Sequence, residues 1–168
     1  MSIAQSLPPV ASPDARILIL GSMPGKASLA ANQYYAHRHN LFWPFMQKLF
    51  VIDPRAAYEE RLALLQSHGI ALWDVLKECF RSSSLDGDIV ETSIIANDFA
   101  AFFAQHRNIR RIFFNGEKAE KAFRRYVLPG LTGMDDMLLV RLPSTSPANA
   151  SIARDHKLKS WQRIAEND

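Results

Sequence analysis

The sequence predicts an α/β protein, a three-layer α/β/α sandwich around a central, mainly parallel sheet of four strands. Three observations carry this expectation. Four short apolar runs, at residues 15–20, 70–73, 111–114 and 137–142, are bounded by Gly, Pro or polar turns, as strands buried on both faces are. Segments with apolar residues at helical spacing separate the runs, and such alternation builds a parallel sheet with helices on both faces. The chain has 168 residues, 48 % hydrophobic and 22 % charged, which suits one globular domain over residues 1–168 with a core of stable size. No internal repeat interrupts this pattern.

Taken in order, residues 1–15 are rich in Pro, Ser and Ala and are expected to run over the surface. The first strand ends at Gly21, and residues 21–40 are expected as a long loop, which in a compact domain usually carries function. Leu41, Phe42, Phe45, Met46, Leu49 and Phe50 recur at helical spacing, so a helix opens near Asn40, a suitable N-cap. Asp53-Pro54 reads as the cap and first position of the next helix, with Tyr58, Leu62 and Leu65 on one face and an end near Gly69. The second strand, 70–73, runs into Asp74 and then a short turn or helix to Phe80. Residues 81–95 hold Ser82-Ser83-Ser84 and Asp86-Gly87-Asp88 and read as loop. Asn97 is the expected cap of a helix that turns Phe99, Phe102 and Phe103 inward. The third strand, 111–114, turns at Asn115-Gly116 into a helix over 117–126, followed by a loop to Asp136. The fourth strand meets the polar stretch Pro143-Ser144-Thr145-Ser146-Pro147-Ala148-Asn149, and a helix over about 152–165 closes the chain.

The totals narrow the function classes. No apolar run approaches the ~18–20 residues that span a bilayer. Met1-Ser2-Ile3-Ala4-Gln5 lacks the basic start and apolar stretch of a signal peptide. No membrane association and a cytoplasmic location are expected. Cys79 stands alone, which leaves no intrachain disulfide and no cysteine zinc site. The net charge of +3 suits a phosphate-backbone partner and equally many proteins without one. Lys118, Lys121 and Arg125 share a helical face, which by itself reads as a solvated face.

The motifs exclude some chemistries. Gly21-Ser22-Met23-Pro24-Gly25-Lys26-Ala27-Ser28 is not a nucleotide-phosphate loop. Only three residues separate its glycines, and Ala27 stands where a magnesium-binding hydroxyl belongs. Pro24 also removes an amide. His37-x-His39 has no third ligand nearby, and no Gly-x-Ser-x-Gly elbow accompanies Ser144 or Ser146. What remains is an inventory of hydrogen-bonding groups and aromatic faces at strand ends. The first loop brings Ser22, Met23, Tyr35 and Asn40, the second Asp74, the third Ser144, Thr145, Ser146 and Asn149. That suits a flat heterocycle: Tyr35 to stack on a ring, amides beside 21–23 to hold a ring oxygen, Asp74 to accept a ring N–H. Each residue also has a structural reading. Tyr35 and Trp43 serve as core aromatics, Asn40 and Asp74 as helix caps, and 144–146 as a plain turn.

Together these segments resemble the uracil-DNA glycosylase superfamily. Gly21-Ser22-Met23-Pro24-Gly25 looks like its first motif, and Tyr35-Ala36-His37-Arg38-His39-Asn40-Leu41-Phe42-Trp43 resembles the Phe-Ala-His-x-x-Asn-x-Phe-Trp segment of the mismatch-specific branch. Gly69-Ile70-Ala71-Leu72-Trp73-Asp74 sits where the family places its base-reading strand. Leu142-Pro143-Ser144-Thr145-Ser146-Pro147-Ala148-Asn149 resembles its second motif. Two positions depart from the better-known branches. Met23 stands where an Asp or Asn positions water, and Ser144 replaces a leading His or Asn. The pattern is most similar to the hypoxanthine-DNA glycosylase branch. That resemblance implies a glycosylase that flips deaminated bases, above all hypoxanthine, out of DNA and leaves an abasic site. Asn40 is then the catalytic residue, with base contacts at Gly21, Ser22, Met23, Tyr35, Asp74 and Asn115. DNA contacts are expected at Pro24, Gly25, Lys26, His37, His39, Ser144, Thr145, Ser146, Pro147, Ala148 and Asn149. No cofactor or metal and a monomeric state are expected, with DNA containing deaminated bases as the partner. Two alternatives stay open: a mismatch-type uracil or xanthine enzyme, and a non-catalytic DNA-binding member of the same fold.

Overall fold

A computed structural model of the chain describes residues 2–167. In chain order the strands are β1 (Ser2–Gln5), β2 (Ile17–Gly21), β3 (Ile70–Asp74), β4 (Leu76–Arg81), β5 (Ile95–Ala96), β6 (Arg111–Asn115) and β7 (Leu138–Leu142). The helices are α1 (Lys26–Ala31), α2 (Phe42–Phe50), α3 (Tyr58–Ser67), α4 (Phe99–Gln105), α5 (Glu117–Ala122) and α6 (Arg154–Trp161). The central sheet has the order β3-β2-β6-β7 and is parallel throughout. It is the four-stranded sheet that the apolar runs predict.

Side chains alternate across a strand, and here both faces are covered. Leu18 and Leu20 of β2 join Trp73, Ile112 and Phe114 in a core completed by Phe99 and Phe102 of α4 and Ala119 of α5. Ile17 and Ile19 join Leu72, Phe113 and Val140 on the other face, against Phe42, Phe45 and Met46 of α2, Leu65 of α3 and Trp161 of α6. That is why these strands are continuous apolar runs. Each large side chain fully buried in this way contributes roughly 1.5–3 kcal/mol.

Several local expectations are corrected. Residues 2–5 do not simply cross the surface. They form β1, which pairs antiparallel with β4 from Ser2↔Arg81 to Gln5↔Glu78. With β5 these strands make a second, three-stranded sheet. Residues 76–81 are therefore a strand rather than a turn or helix. A register shift between Leu76 and Glu78 opposite β5 breaks the alternation that marks strands in sequence. The 21–40 segment is not all loop, because α1 forms in it and ends on Asn32 at φ 53°. Asp53 accepts the Arg55 N–H in a turn, and α3 opens only at Tyr58. Asp98, not Asn97, caps α4, its carboxylate accepting the Ala101 N–H at 3.1 Å. The Asn97 amide donates instead to the Asp74 carbonyl at 2.9 Å and the Ser6 hydroxyl at 3.2 Å. Among the described residues no helix is long and apolar enough to cross a membrane.

Candidate active site

The carboxyl ends of β2, β3, β6 and β7 open into one cleft of about 860 Å³. β2 has β3 on one side and β6 on the other, so the cleft lies where the chain's connections part, the usual ligand crevice of an open α/β sheet.

Asp74 ends β3 beside Gly21 and is 4 % exposed. A Cβ on Gly21 would stand 2.5 Å from Asp74 Oδ1, so only glycine lets the carboxyl occupy this place. Gly21→Ala is expected to push the carboxyl aside, costing about 1–3 kcal/mol of stability in the manner of other overpacked sites. Urea unfolding checks the stability, and a parallel loss of activity checks that the displaced group is functional. Burial, then the negative charge of Asp86, push the Asp74 carboxyl up to about 7, while Arg81 pulls it back. Its Oδ2 has no hydrogen-bond partner.

The loop after β2 is braced from outside the predicted motifs. Ser22 donates its hydroxyl to Asp86 at 2.5 Å. The buried Arg81 guanidinium donates to the Pro24 carbonyl, and the Lys26 N–H donates to Ser84 Oγ at 2.9 Å. Met23 is buried in the core shared with α4 and α5. The peptide N–H groups of Ser22 and Met23 lie beyond β2, with no intramolecular acceptor among the described residues.

Tyr35 sits at φ 57°, a left-handed conformation that a bulky residue rarely adopts. Its ring stacks on Phe42 at 4.0 Å and 24°, so one face is already covered. Its hydroxyl is buried without a hydrogen-bond partner. Burial first, and the Asp74 charge second, push the phenol well above the usual tyrosine value; the neighbouring Asn115 amide pulls the other way.

Asn40 lines the cleft and is half-buried. Its Oδ1 accepts the Phe42 N–H at 2.9 Å, in the turn that leads into α2, whose N-cap position is Leu41 rather than Asn40. That contact and the cleft position are combined in one residue. Trp43 is a core aromatic, its indole N–H donating to the Tyr34 carbonyl at 3.0 Å. Leu41 N–H donates to the Thr145 carbonyl at 3.0 Å. Thr145 is fully buried, and its hydroxyl and N–H meet the two ends of the Asn115 amide, each at 2.9 Å. Asn115 therefore joins the β7 loop to the Asn40 segment, and its second N–H faces the Tyr35 hydroxyl. At the two ends of the β7 loop, Trp161 donates to the Pro143 carbonyl at 2.8 Å and Lys157 to the Asn149 carbonyl.

Of the predicted site residues, Gly21, Ser22, Met23, Pro24, Gly25, Lys26, Tyr35, His37, Asn40, Asp74, Asn115 and the run 144–149 all line the cleft. His39 does not. Its ring is exposed, accepts from Arg38 Nε at 3.1 Å and lies 5.7 Å from the His37 ring. No group of three or more His, Cys, Asp or Glu among the described residues could hold a metal ion. Lys121 and Arg124 pair with Glu117 and Glu120 one turn earlier, as a solvated helix face does. Sequence reasoning missed Asp86 and Arg81. The acidic Asp86-Gly87-Asp88 stretch was the only available sign of the first, and a buried arginine in a short strand leaves none.

The fold and the cleft define a parallel α/β sandwich with its site at the strand ends. The chain belongs to the uracil DNA glycosylase superfamily, whose family profile matches residues 8–165. It is 34 % identical over 163 residues to the hypoxanthine DNA glycosylase of Methanosarcina acetivorans, covering 96 % of this chain and 98 % of that one. The hypoxanthine DNA glycosylase of Methanosarcina barkeri is 36 % identical over 116 residues, 68 % of this chain and 72 % of the relative. A solution NMR structure of a Methanosarcina acetivorans protein, provisionally named uracil DNA glycosylase, superposes with a TM-score of 0.81. Its identity is 33 %, with 98 % of this chain and 97 % of that one covered.

Proposed function

We propose that this protein is a monofunctional DNA glycosylase that releases hypoxanthine from deoxyinosine in DNA and leaves an abasic site. It acts as a monomer, through one domain spanning the chain and without a cofactor. The observation that carries this reading is the buried Asp74 carboxyl with an unpartnered oxygen, set in the same cleft as the Asn40 amide. The target nucleotide leaves the stack, at a cost of a few kcal/mol that is least at a mispair. Ionised Asp74 accepts the N1–H of hypoxanthine. Adenine presents a bare nitrogen there and meets the carboxylate lone pair to lone pair.

The C1′–N9 bond then breaks, its electron pair leaving with the base, and the oxygen of water bonds to C1′. The attacking water gives up one proton to solvent, and the departing base takes one up from it. Positive charge builds on the sugar and negative charge on the base. The free N–H groups of Ser22 and Met23 are fixed donors for the latter, a type of contribution worth ~3–4 kcal/mol per donor elsewhere. The Asn40 carbonyl keeps a lone pair to orient the water, and an amide is so weak a base that positioning dominates. Met23, an apolar side chain buried in the core, leaves that task to Asn40. Lys26, His37 and the 143–149 loop form the rim that meets the DNA backbone.

Labelled duplexes containing inosine, uracil or xanthine, incubated with the protein and then treated with alkali, test this. Strand breaks are expected at inosine first. Tight binding without breaks in any duplex would identify a binding module instead, and breaks at uracil alone would overturn the base assignment.

A further inference from the structure

Three buried side-chain polar atoms among the described residues lack a hydrogen-bond partner: Tyr35 Oη, Asp74 Oδ2 and Arg81 Nη1. Two of these side chains, Tyr35 and Asp74, line the cleft. The Asp74 carboxyl and the Tyr35 hydroxyl both lie within 4 Å of the point where a Gly21 Cβ would stand. A buried polar atom without a partner costs stability. A phenylalanine would keep the stack on Phe42 without that cost. The backbone strain at Tyr35 adds a second unfavourable feature at the same residue, and such features collect where a site needs them.

We propose that the Tyr35 hydroxyl is a specificity-determining donor for the ring oxygen of the extruded base, beside the Asp74 carboxylate that takes the adjacent ring N–H. This rests on the glycosylase reading above and gives that site its ligand class, a base with a lactam edge. Hypoxanthine, uracil and xanthine carry a carbonyl next to an N–H. A donor next to an acceptor matches that edge. Adenine and cytosine carry an amino group next to a bare nitrogen, the reverse pattern. The hydroxyl is suited to donating, because burial and the Asp74 charge keep the phenol protonated. The Asn115 amide gives one N–H to Thr145 and turns its other N–H toward the Tyr35 oxygen as a donor, which leaves the hydroxyl's own proton for the ligand.

The test uses non-hydrolysable duplexes carrying 2′-fluoro-deoxyinosine or 2′-fluoro-deoxyribosyl purine, which lacks both the carbonyl oxygen and the adjacent N1–H. Binding to the wild-type protein and to Tyr35→Phe is compared with thermal stability. The substitution is expected to weaken binding of the inosine duplex by about 10- to 100-fold, the effect of leaving a buried acceptor unmet. The purine duplex is expected to bind within about 2-fold of wild type, and Tm to stay level or rise. Equal weakening of both duplexes, no weakening of either, or a fall in Tm would overturn the proposal and assign the hydroxyl to the fold. A wild-type protein that releases no base from ordinary deoxyinosine would instead defeat the glycosylase reading. The two failures are therefore distinct.

Discussion

Asn40→Ala is expected to lower the single-turnover rate of base release at inosine by at least about 100-fold, the size of loss that follows from misplacing one reacting group. The same change removes the oxygen that accepts the Phe42 N–H at 2.9 Å. Losing this one side-chain hydrogen bond costs about 1 kcal/mol, too little to unfold a domain of this size. Stability and rate therefore separate. Asn40→Asp sharpens the separation, because a carboxylate still accepts the Phe42 N–H and still offers an oxygen to water. It also places negative charge near a cationic sugar. We expect Asn40→Asp to keep Tm and to stay within about 10-fold of the wild-type rate. An alanine protein at full rate would remove Asn40 from the chemistry. An aspartate protein as slow as the alanine one would assign the work to the amide hydrogens instead of the oxygen.

The helix-start contact of Asn40 and the catalytic role proposed for it mark where sequence reading stops. A helix-start amide and a catalytic amide have the same local signature, an Asn before an apolar helix, and the place in the cleft is what favours the second reading. Strands buried on both faces were legible because their apolar runs have no competing explanation; 70–74 is buried at every position. β1 was not legible, since one buried residue, Ala4, in four has no period. β4 was hidden by the shift at Leu76/Glu78 and by a buried arginine in place of an apolar residue. α1 has only six residues, too few to show helical spacing. The same limit applies to the site. Residues on the glycine- and proline-marked loops could be named from sequence. Asp86 and Arg81 act on Asp74 through space, from a strand and a loop whose connection to β3 only the fold reveals.

Asp74→Asn is expected to change three measurements together, each for a reason rooted in the same buried carboxyl. The first is stability. In the folded protein this group titrates at about 7 against an ordinary 3.8. Between about pH 4 and 7 the folded state holds a proton that the unfolded chain has released, so stability falls as pH rises through that window. Below it both states are protonated, and above it both are ionised and the full cost stands. A gap of this size corresponds to an upper bound on the order of 4 kcal/mol. An amide has no charge to bury, so the variant should resist urea better than wild type at pH 8 and match it at pH 4.

The second measurement is the pH profile. Protonated Asp74 offers the N1–H of hypoxanthine a neutral oxygen in place of a carboxylate, a weaker acceptor, so wild-type activity on inosine should rise as pH increases through about 7. The facing groups are Asp86, which raises the midpoint, and Arg81, which lowers it. The variant should lose this limb.

The third is selectivity. An asparagine can present either its oxygen or its amino group, so it accepts from hypoxanthine in one orientation and donates to the bare nitrogen of adenine in the other. The inosine-over-adenine preference should fall by about 10- to 100-fold, the scale on which a site loses discrimination when its unpaired polar clash is removed. A variant with unchanged preference and an unchanged limb near pH 7, yet greater stability at pH 8, would place Asp74 in the electrostatics of the fold and take it out of base reading.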